Sequence, residues 1–87
     1  MTIDALRMEI DTLDSRIAEL ITRRLMCARE IGAIKKAENV PLANIDREIA
    51  VIDHVRAVAS TVIDDEEIGE AVEKIYFSII TMSRRMQ

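Results

Sequence analysis

Eighty-seven residues make one small domain, and a lone chain of that size buries so little surface that its stability is marginal and partner copies become a natural remedy. Apolar residues are 49% and charged ones 32%, with two Gly, one Pro, one Tyr, one Phe and no Trp, a balance that favours helix. The net charge of −4 argues against nucleic acid, which needs a clustered basic face, and the absence of a spanning apolar run, a secretory h-region or a second Cys makes a cytoplasmic chain without membrane contact the expectation.

Thr2 is a suitable N-cap, with Asp4 in the first turn behind it. Apolar residues then recur at Ile3, Leu6, Ile10, Leu13, Ile17 and Leu20, and again at Cys27, Ile31 and Ile34. The alternating three and four spacing predicts a single helix up to Lys36, about 35 residues and roughly 50 Å long. No small domain is that wide, and the rest of the chain supplies only two shorter helices. Part of this seam therefore has to meet a second copy.

Pro41 lies in a stretch from Ala37 to Ala43 that loses periodicity and reads as a loop. Asn44 suits an N-cap, and Ile45, Ile49, Ile52 and Val55 mark one face of a second helix running to about Val58, with Asp46 in its first turn. Ser60 to Ile63 read as a short turn. A third helix is expected from Asp64, where Asp64 and Glu67 resemble a capping box, with Ile68, Val72, Ile75, Ile79, Met82 and Met86 along one face. The expected fold class is all-α: three helices, one long and two shorter, in a single domain over residues 1–87 that forms an intertwined helical homodimer.

A few charged residues interrupt the apolar stripes. Between Leu20 and Cys27 the seam position falls on Arg24, and a guanidinium buried there without a partner costs several kcal/mol. Lys35 follows eleven residues later and projects within roughly 20° of it. Two cations thus share a face. Either Arg24 meets a partner carboxylate and sets register while Lys35 reaches water, or the two form an anion pocket.

Glu48 falls inside the stripe of the second helix, beside Arg47, and a carboxylate there needs a partner. It is either half of an ion pair with Arg24 or Arg47, or an acceptor for a ligand hydroxyl beside a cationic site. Ser83 and Gln87 stack one turn apart and continue the Ile79 face as a polar strip. Arg7 lies 17 residues before Arg24, about 25 Å along the helix and on another azimuth. If both bind one small ligand, Arg7 has to come from another chain.

Other chemistries lack their parts. His54 is the only His and has no neighbours at metal-ligand spacing. Cys27 fills a seam position and reads as core packing, with no base beside it. Two glycines cannot build a phosphate loop or dinucleotide fingerprint.

Ala5-Leu6-Arg7 with Leu13-Asp14, Arg24 with Ile31-Gly32 and Lys35, Ile45-Asp46-Arg47-Glu48, and finally Ser83 and Gln87 together resemble the all-α chorismate mutases, short three-helix chains that form intertwined homodimers. The resemblance runs without gaps across nearly the whole chain. It implies conversion of chorismate to prephenate by a [3,3]-sigmatropic rearrangement in phenylalanine and tyrosine biosynthesis, with no cofactor, no metal and no covalent intermediate. It further implies that Arg24 and the partner chain's Arg7 hold the two substrate carboxylates, that Lys35 and Gln87 donate to the ether oxygen, and that Glu48 accepts from the ring hydroxyl. Ser83 would touch a carboxylate and Arg47 would support Glu48. Asn44 stands where many members carry Asp, so the helix cap is kept while a pocket carboxylate is not. Two alternatives remain open: an isochorismate pyruvate lyase of the same fold, and a non-catalytic helical regulatory module.

Overall fold

The computed structural model describes residues Met1–Gln87 as three helices and no strand: α1 (Ile3–Glu38), α2 (Ile45–Val62) and α3 (Glu66–Met86). The Thr2 hydroxyl accepts from the Ala5 N–H at 3.0 Å and starts α1, as its side chain type predicts. The helix runs two residues past Lys36. Asn39 ends it in the left-handed conformation, φ 58° and ψ 39°, a region Asn enters more readily than most residues. Two bonds then close the terminus: the Asn39 N–H donates to Lys36 O at 3.3 Å and the Val40 N–H to Lys35 O at 2.8 Å, the paired pattern of a Schellman ending.

Asn44 caps α2, its Oδ1 accepting from the Arg47 N–H at 3.0 Å. The second helix is longer than expected, continuing to Val62. Ser60 and Thr61, read as a turn, instead fold their hydroxyls back onto the carbonyls of Arg56 and Val58 at 3.0 and 2.6 Å, which lets them sit inside a helix. The cap of α3 is Asp65 rather than Asp64, with Asp65 Oδ1 accepting from the Ile68 N–H at 3.1 Å. That shift by one residue dissolves the expected capping box, since the position three beyond the true cap is Ile68.

Arg56 pins the hairpin of α2 and α3. It donates to Glu66 Oε1 at 2.6 Å and to Glu73 Oε2 at 3.1 Å, and lies over Gly69, where an added Cβ would meet its guanidinium carbon at 3.4 Å. The Arg56 proton is held more firmly than usual, first by the Glu66 hydrogen bond, with partial burial opposing.

Helix α3 packs against both α1 and α2, which do not pack on each other. The result is a cleft with α3 as its floor. Only Ala28, Val55 and Ile80 are buried apolar side chains, and Ile80 lies one residue off the stripe read from sequence. Every residue from Met1 to Leu20 is exposed. The molecule measures 54 × 25 × 16 Å with a radius of gyration of 15.8 Å, against about 12 Å for a compact chain of this length. No helix is long and apolar enough to cross a membrane.

Gly32 fixes the far end of the cleft. An added Cβ there would stand 2.5 Å from Gln87 Cα and 2.7 Å from Gln87 O, so the end of α3 lies against bare α1 backbone. Backbone cannot swing aside as a side chain can. Gly32→Ala is therefore expected to keep the helical content, because Ala is the better helix former, while expelling the last turn of α3. Faster amide exchange confined to residues 84–87 would show this, and unchanged exchange there would contradict the docking.

Candidate functional site

A cleft of about 390 Å³ opens between α1 and α2. It is lined by Arg24, Cys27, Ala28, Ile31 and Lys35 of α1, by Asn44 at the α2 cap with Arg47, Glu48 and Val51, and by Ile80, Ser83, Arg84 and Gln87 of α3. Seven residues singled out in the sequence, Arg24, Lys35, Asn44, Arg47, Glu48, Ser83 and Gln87, thus converge on one cavity from three helices. Arg7 does not line it; it belongs to the fully exposed first half of α1.

Arg24 is half-buried and has no carboxylate within ion-pair distance. Its Nη1 donates to Ser83 Oγ at 2.6 Å, and its guanidinium carbon lies 5.8 Å from the centre of the Tyr76 ring, within cation–π range. Ser83 is buried and its hydroxyl donates a hydrogen bond to Ile79 O at 2.8 Å. The hydroxyl is thereby oriented, with a lone pair toward Arg24. Its position on the Ile79 strip of α3 makes this relay possible, since Ile79 O lies one helical turn before it.

Lys35 sits at the end of α1, and its Nζ donates to Leu42 O at 3.0 Å across the connecting loop. An ammonium has three donors, so two remain. Gln87, docked on Gly32, has a buried Oε1 without a hydrogen-bond partner. That oxygen can only accept, so donation to a ligand from Gln87 falls to its amide NH2 group.

Glu48 finds a partner that the sequence reading did not name. Arg84 Nε donates to Glu48 Oε2 at 2.6 Å, and Arg84 Nη2 pairs with Glu48 Oε1, a two-bond fork matched to carboxylate geometry. Neither Arg24 nor Arg47 forms an ion pair with it. The Arg84 hydrogen bond, opposed by partial burial and helped by the opposite charge, holds the Glu48 carboxyl below its ordinary 4.5, and Arg84 in turn keeps its proton more firmly. Arg84 escaped the sequence reading because it stands one residue, a 100° turn, off the Ser83 and Gln87 strip. Cys27 was expected in the core; within one chain it is exposed and lines the cleft. His54 is exposed on α2, and no group of three His, Cys, Asp or Glu side chains is placed to hold a metal.

Four cations and one carboxylate leave the cleft with an excess of three positive charges, in a chain whose overall charge is −4. Arg24, Lys35 and Arg47 have no anionic partner, so the cleft carries uncompensated positive charge. It contains no activated nucleophile. It offers guanidinium forks, an ammonium, an amide and one ionised acceptor.

Comparisons with known proteins point to one family. The bifunctional chorismate mutase/prephenate dehydratase of Stutzerimonas stutzeri is 32% identical over 95% of this chain, and that of Aquifex aeolicus is 33% identical over 87% of it. The matched regions are only 24% and 21% of those relatives, so the chain spans about a quarter of their length. The chorismate mutase of Methanocaldococcus jannaschii is 29% identical over 94% of this chain and 80% of its own length. No solved structure gives a significant match. Residues 6–87 match the family described as chorismate mutase type II, and the chain belongs to that family.

Proposed function

We propose that this chain is a chorismate mutase, which rearranges chorismate to prephenate in a homodimer whose two clefts are each completed by Arg7 of the other copy. The observation that carries the reading is the convergence of Arg24, Lys35, Arg47, Glu48, Ser83 and Gln87 on one cleft with three uncompensated positive charges. Chorismate is a dianion with an ether oxygen and a ring hydroxyl. The cleft has a group of matching kind for each.

Family membership suggests the roles. Arg24, its fork steadied by Ser83, takes one carboxylate, and Arg7 of the second copy takes the other, as planar guanidinium allows. Breaking the C–O bond leaves negative charge on the ether oxygen, which the free donors of Lys35 and the amide of Gln87 meet. Glu48 accepts from the ring hydroxyl, while Arg47 and Asn44 complete the wall. The enolpyruvyl arm is flexible in water, and pinning both carboxylates holds it over the ring. A millionfold acceleration asks about 8 kcal/mol of this restraint and the placed charge together. No step needs a cofactor, and the chemistry suits the cytoplasm.

Surface area supports the dimer. The chain exposes 7217 Å², whereas a compact monomer of 9.9 kDa exposes roughly 5,200 Å². The excess of roughly 2,000 Å² per chain falls in the range obligate dimers bury. Ile3, Leu6, Ile10, Leu13, Ile17 and Leu20, each 41–68% exposed, supply an apolar stripe for that contact.

Purified protein should consume chorismate, followed by its absorbance, and leave isochorismate untouched; the reverse would assign a lyase, and turnover of neither would assign a non-catalytic module. Lys35→Ala should lower the rate about a hundred- to thousandfold while the fold persists, and activity within a few-fold of the parent would remove Lys35 from the chemistry. Arg24→Leu should raise thermal stability while abolishing activity, since it restores the apolar stripe and removes a charge with no carboxylate partner. A sharp fall in melting temperature would instead make Arg24 a structural residue.

Arg7→Ala and Arg24→Ala dimers should each be nearly inactive. Unfolded and refolded together, they give mixed dimers in about half the population, each with one intact site and one doubly altered site. Activity should return to roughly a quarter of the parent value per site. No recovery in material shown to be dimeric by size exclusion would contradict a site shared between chains.

A further inference from the structure

Of the four cations in the cleft, Arg84 alone is already matched, and it is matched to the one cleft carboxylate. The two partners differ in exposure: the Glu48 side chain is 21% exposed and that of Arg84 54%. Because the guanidinium engages one lone pair on each oxygen, a second pair on each remains for a ligand. We propose that Arg84 is a positioning residue that fixes the plane and rotamer of Glu48 and so presents it as a rigid acceptor for the substrate hydroxyl. This rests on the reading of Glu48 given above.

The surroundings show why such a clamp is needed. Glu48 shares the cleft with Arg47 of its own helix, Arg24 and Lys35 of α1, and Arg84 of α3, and bonds only to the last. Without the fork, the flexible carboxylate is free to fall onto Arg24, Lys35 or Arg47 and cancel a charge the dianion requires. On its other side Glu48 borders a second groove, of about 540 Å³, whose other charged lining residues are Asp53 of α2 and Glu73 and Arg84 of α3. Partial burial favours a protonated Glu48, and the hydrogen bond from Arg84 outweighs it. The sign is then fixed: the carboxyl titrates below its ordinary 4.5, so it is ionised throughout the neutral range, and loss of Arg84 moves its titration upward. Because the pair is part-exposed, its contribution to folding stability is small, and a fall in activity without a fall in stability separates positioning from structural support.

The test uses the full chain with Arg84→Leu, Arg84→Lys and, as a control of equal charge change, Arg85→Leu, since Arg85 is exposed on the next position of α3 and lines neither the cleft nor the second groove. Carboxyl ¹³C NMR titration of Glu48 needs no turnover. It should move up in Arg84→Leu and part of the way back in Arg84→Lys, whose ammonium restores charge without the fork. With chorismate as substrate, Arg84→Leu should lose about tenfold or more in kcat, the scale on which removal of an orienting partner acts, with its acid limb shifted to higher pH and its melting temperature unchanged. An unshifted Glu48 in an active enzyme, or an equal loss in Arg85→Leu, overturns the role of Arg84 alone. A parent protein that turns over no chorismate overturns instead the reading of Glu48 as the hydroxyl acceptor.

Discussion

Three cations without an anionic partner, Arg24, Lys35 and Arg47, are held around one small cleft, and the rest of the molecule is arranged to keep them there. Helices α1 and α2 do not pack on each other, so their charged faces stay apart and open; α3 bridges both and holds Arg24 and Glu48, while the α1–α2 loop holds Lys35. Ser83 orients Arg24, Arg84 occupies Glu48, and the carbonyl of Leu42 engages one donor of Lys35. Each restraint leaves bonding capacity toward the cavity. Like charges gathered without a counterion weaken the free protein, so their placement makes physical sense as preparation for a dianion that binds in the gap.

The same architecture explains why so little of the chain is buried. The first half of α1 extends beyond the two shorter helices, and all of Met1–Leu20 is exposed. Small residues do the close packing where α3 crosses the other two: Gly32 under the end of α3, Gly69 under Arg56, and Ser83 beneath Arg24. The folded core and the site are therefore not separate regions. Of the few buried residues, Ala28, Ile80 and Ser83 also line the cleft.

Much of this was legible in order along the chain. Period and caps placed the three helices, because Thr2 and Asn44 are polar residues before apolar runs and Pro41 cannot continue a helix. Arg24 announced itself as a charge at a seam position, and Glu48 as a carboxylate in a stripe. What failed was local choice between near equals. Adjacent Asp64 and Asp65 cap equally well in sequence, and the structure uses the second. Ser60 and Thr61 read as a turn because their hydroxyls compete for backbone groups, yet here the competition is settled inside the helix. Arg84 was hidden because its importance depends on α3 crossing α2 beside Glu48, a tertiary fact that no spacing within α3 encodes.

Preorganised charge makes a quantitative demand that binding can answer. A rigid bicyclic diacid shaped like the transition state of the rearrangement presents both carboxylates and the ether oxygen in the geometry where the cleft should hold them best, and an enzyme binds such a species more tightly than its substrate. Isothermal titration of the protein should give one diacid per cleft, at least a hundredfold tighter than chorismate by the usual scale for transition-state analogues, with affinity falling as salt rises because the attraction is between charges. Binding no tighter than that of chorismate, or binding indifferent to salt, would contradict a cleft built to stabilise a dianionic transition state.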